Sequence, residues 1–209
     1  MRRVCGKVDD NSMLSSFTKS YSQGLSLLLL LWAIKLIEYL ADLDLTSFGI
    51  APGQVTSLSG ILTAPLIHGS FEHLLVNTAP LLILGFALLY GYPKSSWRVI
   101  ALVWVISGLG VWLFARPTIH IGASGLTHGM FFYLFIVGIL RRDKLSIVLL
   151  FIAVFLYGGM VASIFPQSVG VSFEYHMAGA FGGVLAAILF RNMDPKPVEK
   201  RYDWEDEDE

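Results

Sequence analysis

Six apolar runs, each near the length a helix needs to cross a bilayer, leave this chain few ways to fold. They cover roughly Leu25–Leu43, Phe71–Tyr90, Trp97–Phe114, Gly122–Leu140, Leu145–Phe165 and Phe173–Phe190. About 20 apolar residues in a helix span the hydrocarbon core. A helix also satisfies its own backbone polar groups where no water can. A membrane barrel would show short segments alternating apolar and polar residues, and these runs are continuous. Only 15% of the 209 residues are charged and 55% are hydrophobic, against about 25% charged in a soluble domain. The expectation is an all-α integral membrane protein. A six-transmembrane-helix bundle would occupy residues 25–190, between an N-terminal segment 1–24 and a tail 191–209.

The basic residues set the orientation. Of the 15 lysines and arginines, all but Lys35 and Arg116 fall in four places. These are the N-terminus (Arg2, Arg3, Lys7, Lys19), the second connection (Lys94, Arg98), the fourth (Arg141, Arg142, Lys144) and the tail (Arg191, Lys196, Lys200, Arg201). Cytoplasmic connections collect such residues, so both termini are expected in the cytoplasm, in a bacterial inner (plasma) membrane. The first run carries Lys35 and Glu38 and no convincing cleavage site, so it reads as a retained span rather than a signal. Those two residues, at i,i+3 spacing, are expected to pair or to face the bundle interior. Cys5 is the only cysteine and is expected as a free thiol. The acidic run Tyr202–Glu209 reads as a solvated, disordered end. No basic stripe points to nucleic acid.

With this orientation, spans two, four and six all run inward from the outer face. Each opens on a polar motif: His68-Gly-Ser-Phe-Glu-His73-Leu-Leu-Val-Asn77, Gly122-Ala-Ser124-Gly125, and His176-Met-Ala-Gly179-Ala-Phe-Gly-Gly183. Topology therefore gathers His73, Asn77, Ser124 and His176 into one layer. Polar side chains at membrane depth are costly and mark function. Ser124 stands at a helix start, where unpaired N–H groups stabilise a developing oxyanion; its bland alternative is a helix cap. A serine hydroxyl needs a base, and His176 is suited to that role. His73 and Asn77 are four apart and share a helix face, so both can donate towards one point. Glu72 suits the first turn of its helix as a favourable charge, and Glu174 is expected to point away from His176. No third residue orients His176, so a Ser–His dyad is expected. His68 is assigned a structural role at the loop edge, and His120 a loop role. Gly125 with Gly129, and Gly179 with Gly183, form small-xxx-small steps that allow spans four and six to approach closely.

Taken together, these motifs resemble the rhomboid family of intramembrane serine proteases. The family pattern is His-x4-His-x3-Asn on the second helix, Gly-x-Ser-Gly on the fourth and His-x2-Gly-x3-Gly on the sixth. The resemblance implies Ser124 as nucleophile and His176 as base. It implies an oxyanion hole of His73, Asn77 and the Ser124 N–H, supported by His68, Gly122, Gly125, Gly179 and Gly183. It also implies substrates that are transmembrane proteins, cleaved near the outer membrane face within the lipid bilayer, with no metal and no cofactor. Two positions depart from the family pattern. Ser59-Gly60 stands where many relatives carry Trp-Arg in the first outer loop, which puts that loop's membrane contact or rigidity in question. His128 stands where many carry a tyrosine that stacks on the catalytic histidine, and an imidazole there can stack, hydrogen-bond or titrate. The alternative is a silent rhomboid-like protein that binds membrane helices; such proteins usually lack the serine or the histidine, and this chain keeps both. A metal site or transport path built on the five histidines has no carboxylate at ligand spacing.

Overall fold

The computed structural model describes residues 10–166 and 170–196. Cys5 and the acidic run Tyr202–Glu209 lie outside the described residues. Six principal helices appear: α1 (Asp10–Leu40), α2 (Phe71–Gly91), α3 (Ser96–Phe114), α4 (Ser124–Arg141), α5 (Lys144–Tyr157) and α6 (Phe173–Phe190). Five of them, all but α5, are long and apolar enough to cross a membrane. The protein is a multi-pass integral membrane protein with an all-helical fold.

Two segments differ from the sequence expectation. α1 begins well before residue 25. Its early hydroxyls bond back onto the preceding turn, as in Thr18 Oγ1 to Leu14 O (2.8 Å) and Ser26 Oγ to Ser22 O (2.7 Å), so polar residues do not interrupt the helix. Phe17 packs edge-on against Phe86 of α2, at 4.9 Å between ring centroids. The fifth run, expected as one span over Leu145–Phe165, is broken. α5 stops at Tyr157, Gly158–Gly159 form a turn, and a single helical turn follows at Met160–Ser163. Two adjacent glycines are poor helix formers, and the break lets the chain bend over the site.

α4 is the most buried of the five long helices. It packs chiefly against α6 and α5, while α3 covers α6 and α1 covers α2. The core joins Leu74, Leu84 and Leu88 of α2, Val99 and Val103 of α3, and Phe131, Tyr133 and Leu134 of α4. Many apolar side chains on the outside, among them Leu29, Val76, Phe114, Phe155 and Phe181, are exposed, as a lipid-facing surface requires.

The two ends of the bundle are built differently. At one end lie the connections 41–70 and 115–123, together with residues 158–166 and 170–172. The first of these is pinned by a bridge between Ile50 and His120, with N–H to O distances of 2.9 Å both ways. Trp104 Nε1 donates to Ile61 O (3.0 Å) and Trp112 Nε1 to Gln54 O (2.9 Å). Two tryptophans of α3 thus fix the loop that lacks the Trp-Arg pair. At the other end, buried Arg141 donates to Asp143, Ser146, Arg191 O, Asp194 O and Pro195 O. Asp194 in turn accepts from Lys94 N, Ser95 N and Ser95 Oγ. This polar cluster ties four helix ends together: the start of α3, the end of α4, the start of α5 and the end of α6. Lys35 and Glu38 pair at 2.9 Å.

Candidate active site

Ser124 is the first residue of α4. The preceding N-cap, Ala123, offers no side chain to the helix end, so Ser124 is not the cap and the first-turn N–H groups are left without an intrahelical partner. The turn into the helix is held from two sides. Gly122 N–H donates to Ala64 O (2.9 Å), and Ala123 N–H donates to His68 Nε2 (3.3 Å). Gly122 has φ +108°, and a Cβ there would lie 2.6 Å from the His73 ring; both facts require glycine. His68 is almost fully buried. Burial, then the neighbouring His73 imidazole, pushes it down to about 4. It is therefore neutral at pH 7, and its Nε2 accepts the Ala123 proton.

His176 lies in the first turn of α6, whose N-cap Ser172 accepts from Tyr175 N–H (3.2 Å). Its Nδ1 is 3.0 Å from the main-chain carbonyl of Ser163. A carbonyl only accepts, so Nδ1 carries the proton and neutral His176 presents a bare Nε2. His128 of α4 stacks on this ring at 3.9 Å between centroids, 9° from parallel. His128 Nδ1 lies 2.7 Å from Ser124 O, and its Nε2 lies 2.7 Å from Ser163 Oγ.

Ser124, His176, His128, His73 and Asn77 all line one cavity of about 1110 Å³. It reaches the loops at Gly69–Ser70, 116–121 and 170–172. Asn77 Nδ2 donates to His73 O (2.9 Å), which uses one of its two N–H bonds and leaves the other. One expected contact is not made: Ser124 and His176 share the cavity without a hydrogen bond between them. The reason is visible in the neighbours. The His176 ring is held by His128 and Ser163 instead. Such bonds commonly tighten only when substrate fills the site.

The glycine steps place the two helices. A Cβ on Gly179 would stand 2.0 Å from Gly125 O, and one on Gly183 would stand 2.1 Å from Gly129 O. α4 and α6 therefore meet backbone to backbone, beside Ser124 and about one turn from His176. Glu174 does point away from His176: its Oε1 pairs with Arg116 Nε at 3.0 Å. Buried His120 does more than decorate a loop. Its Nδ1 lies 2.6 Å from Ser172 Oγ, which joins the 115–123 connection to the start of α6.

Ser163 is the site residue that sequence reasoning missed. It lies 13 residues before His176, in a stretch read as featureless span, and half its contribution is a carbonyl that any residue supplies. The Gly158–Gly159 pair was the available signal, because it marks where the helix ends and the chain turns towards α6.

The Rhomboid domain family matches residues 55–193, an interval that holds all three motifs. An uncharacterized protein of Mycobacterium tuberculosis is 39% identical over 175 residues, covering 79% of this chain and 72% of that protein. One of Mycobacterium leprae is 37% identical, covering 79% and 69%. With a match over most of its length and relatives at this identity, the chain belongs to the rhomboid family.

Proposed function

We propose that the protein is an intramembrane serine endopeptidase that cuts transmembrane segments of other membrane proteins. The observation that carries this reading is the common cavity holding the Ser124 hydroxyl and a His176 whose Nδ1–H is bonded to a carbonyl. That tautomer leaves Nε2 as the group that takes the serine proton. As Oγ attacks the scissile carbonyl, its proton passes to Nε2. The carbonyl electron pair moves onto oxygen, where the Ser124 N–H and the His73 and Asn77 side chains donate to it. Collapse breaks the C–N bond, and His176 returns the proton to the leaving amine. Water entering from the loop side repeats the sequence on the acyl-enzyme.

The six-pass arrangement belongs to the same proposal. Fourteen residues of α5 reach only about 21 Å. With the turn at Met160–Ser163 the segment approaches the roughly 30 Å hydrocarbon thickness. The basic connections then put both termini in the cytoplasm, in a bacterial plasma membrane, with the cavity under the outer face. A second reading, a silent binder of membrane helices, takes its support from the missing Ser124–His176 bond. Co-expression with tagged single-span helices separates the two. The protease reading predicts fragments that disappear in Ser124→Ala; helices retained uncut by both forms favour the binder.

A further inference from the structure

The segment after the α5 break carries no residue of the family motifs, yet it touches both histidines. Ser163 meets His176 through its carbonyl, at 3.0 Å, and His128 through its hydroxyl, at 2.7 Å. The same hydroxyl lies 3.0 Å from Met160 O, one turn back. His128 is locked at its other nitrogen by Ser124 O, at 2.7 Å. The stack of His128 on His176 closes a circuit of His128, Ser163 and His176, anchored at the carbonyl of Ser124. We propose that Ser163 is the positioning residue for the general base. Its carbonyl selects the His176 tautomer, and its hydroxyl, docked on His128, holds that carbonyl in place. The proposal rests on the reading of Ser124 and His176 as nucleophile and base.

Proton bookkeeping supports a permanent dock. Ser124 O only accepts, so His128 Nδ1 is a donor. If His128 is neutral, Nε2 accepts the Ser163 proton. If His128 is charged, Nε2 donates and Ser163 turns its proton to Met160 O. The contact between residues 128 and 163 persists in both states, because the serine has an acceptor waiting either way. The residue at 128 therefore has a second task beyond stacking. A ring without Nε2 keeps the stack on His176 and loses the dock.

The test uses the purified full chain in detergent and a fluorophosphonate probe. Ser163→Ala is expected to lower the maximal inactivation rate at Ser124 by about 10- to 100-fold, a part of the ~10²–10⁴-fold that a positioned base supplies in full. The concentration for half-maximal rate should be unchanged, because the cavity is intact. Ser163→Thr keeps the hydroxyl and should recover most of the loss. His128→Phe should match Ser163→Ala, and the double variant should be no slower than either single one, since one circuit is broken once. Nitrogen-15 spectra of His176 give an independent readout. The Nδ1–H form should dominate in wild type and Ser163→Thr and give way to a mixture in Ser163→Ala. Wild-type inactivation rates and an unchanged tautomer in Ser163→Ala, or losses that multiply in the double variant, would overturn the proposal. An absent Ser124 adduct in the wild type would instead remove the hydrolase reading, and the tautomer would still report whether Ser163 holds His176.

Discussion

Gly179→Ala puts the α4–α6 contact to a quantitative test. The new Cβ would start 2.0 Å from Gly125 O and 2.8 Å from its carbonyl carbon. An ordinary carbon–oxygen contact is about 3.3 Å, so the two backbones must separate by roughly 1.3 Å. The obstacle is the Gly125 main chain, and no side chain can swing aside to relieve it. Overpacking of this kind costs about 1–3 kcal/mol, against up to ~1 kcal/mol gained by replacing glycine in a helix. The net loss of stability is therefore modest, about 0–2 kcal/mol. The chemical loss should be larger. Gly179 is three residues from His176 and Gly125 adjoins Ser124, so the separation falls almost wholly between base and nucleophile. A displacement near 1 Å costs on the order of 10²-fold in rate. The assay is fluorophosphonate inactivation at Ser124, read beside thermal unfolding in the same detergent. Gly24→Ala is the control, because a Cβ there meets nothing within 4 Å; it should keep the wild-type rate. A Gly179→Ala protein that folds and reacts as fast as wild type would refute the claim that this contact sets the dyad.

Other outcomes follow from the same geometry. Asn77→Ala should slow substrate cleavage roughly 10²–10³-fold, the cost of one oxyanion donor, with substrate affinity little changed; a normal kcat would remove Asn77 from the oxyanion hole. Acid should destabilise the fold through His68. Its folded value near 4 lies below the usual 6.5, so the unfolded chain binds the extra proton and stability falls as pH drops from about 6.5 to about 4. The most this group can contribute is about 3 kcal/mol, and His68→Gln should flatten that part of a Tm–pH curve. Arg141→Ala removes the cation beside Asp143, which keeps only its Ser146 donors, and leaves three main-chain carbonyls without the guanidinium. It should cost about 3–5 kcal/mol while the folded fraction still labels at Ser124; an unchanged Tm would show the cluster to be dispensable.

The parts of this protein that were legible in its sequence are those written in residue identity and spacing. The i,i+4 steps of Gly125–Gly129 and Gly179–Gly183 announce a close helix pair, and that is the α4–α6 contact observed. The alternation of basic and apolar connections gathers Ser124, His176, His73 and Asn77 at one end, and all four line the cavity. What stayed hidden depends on main-chain atoms or on partners far away in sequence. The carbonyl of Ser163 has no sequence signature. Arg141 reads as one more positive charge at a helix end, whereas it is buried and organises residues 191–195. The fifth run looked continuous because its hydropathy hides Gly158–Gly159, where backbone entropy overrides apolar character. Stacking of His128 on His176 was one of the roles the family resemblance left open, while its bond to Ser163 required the bend that brings Met160–Ser163 back over the site.

The most direct test of a Ser124–His176 dyad is mass-spectrometric mapping of a fluorophosphonate adduct on wild type, Ser124→Ala and His176→Ala, each shown to be folded. The account predicts one adduct, on Ser124 of the wild type, absent in the serine variant and strongly reduced in the histidine variant. No adduct on folded wild-type protein, or equal labelling without His176, would contradict it.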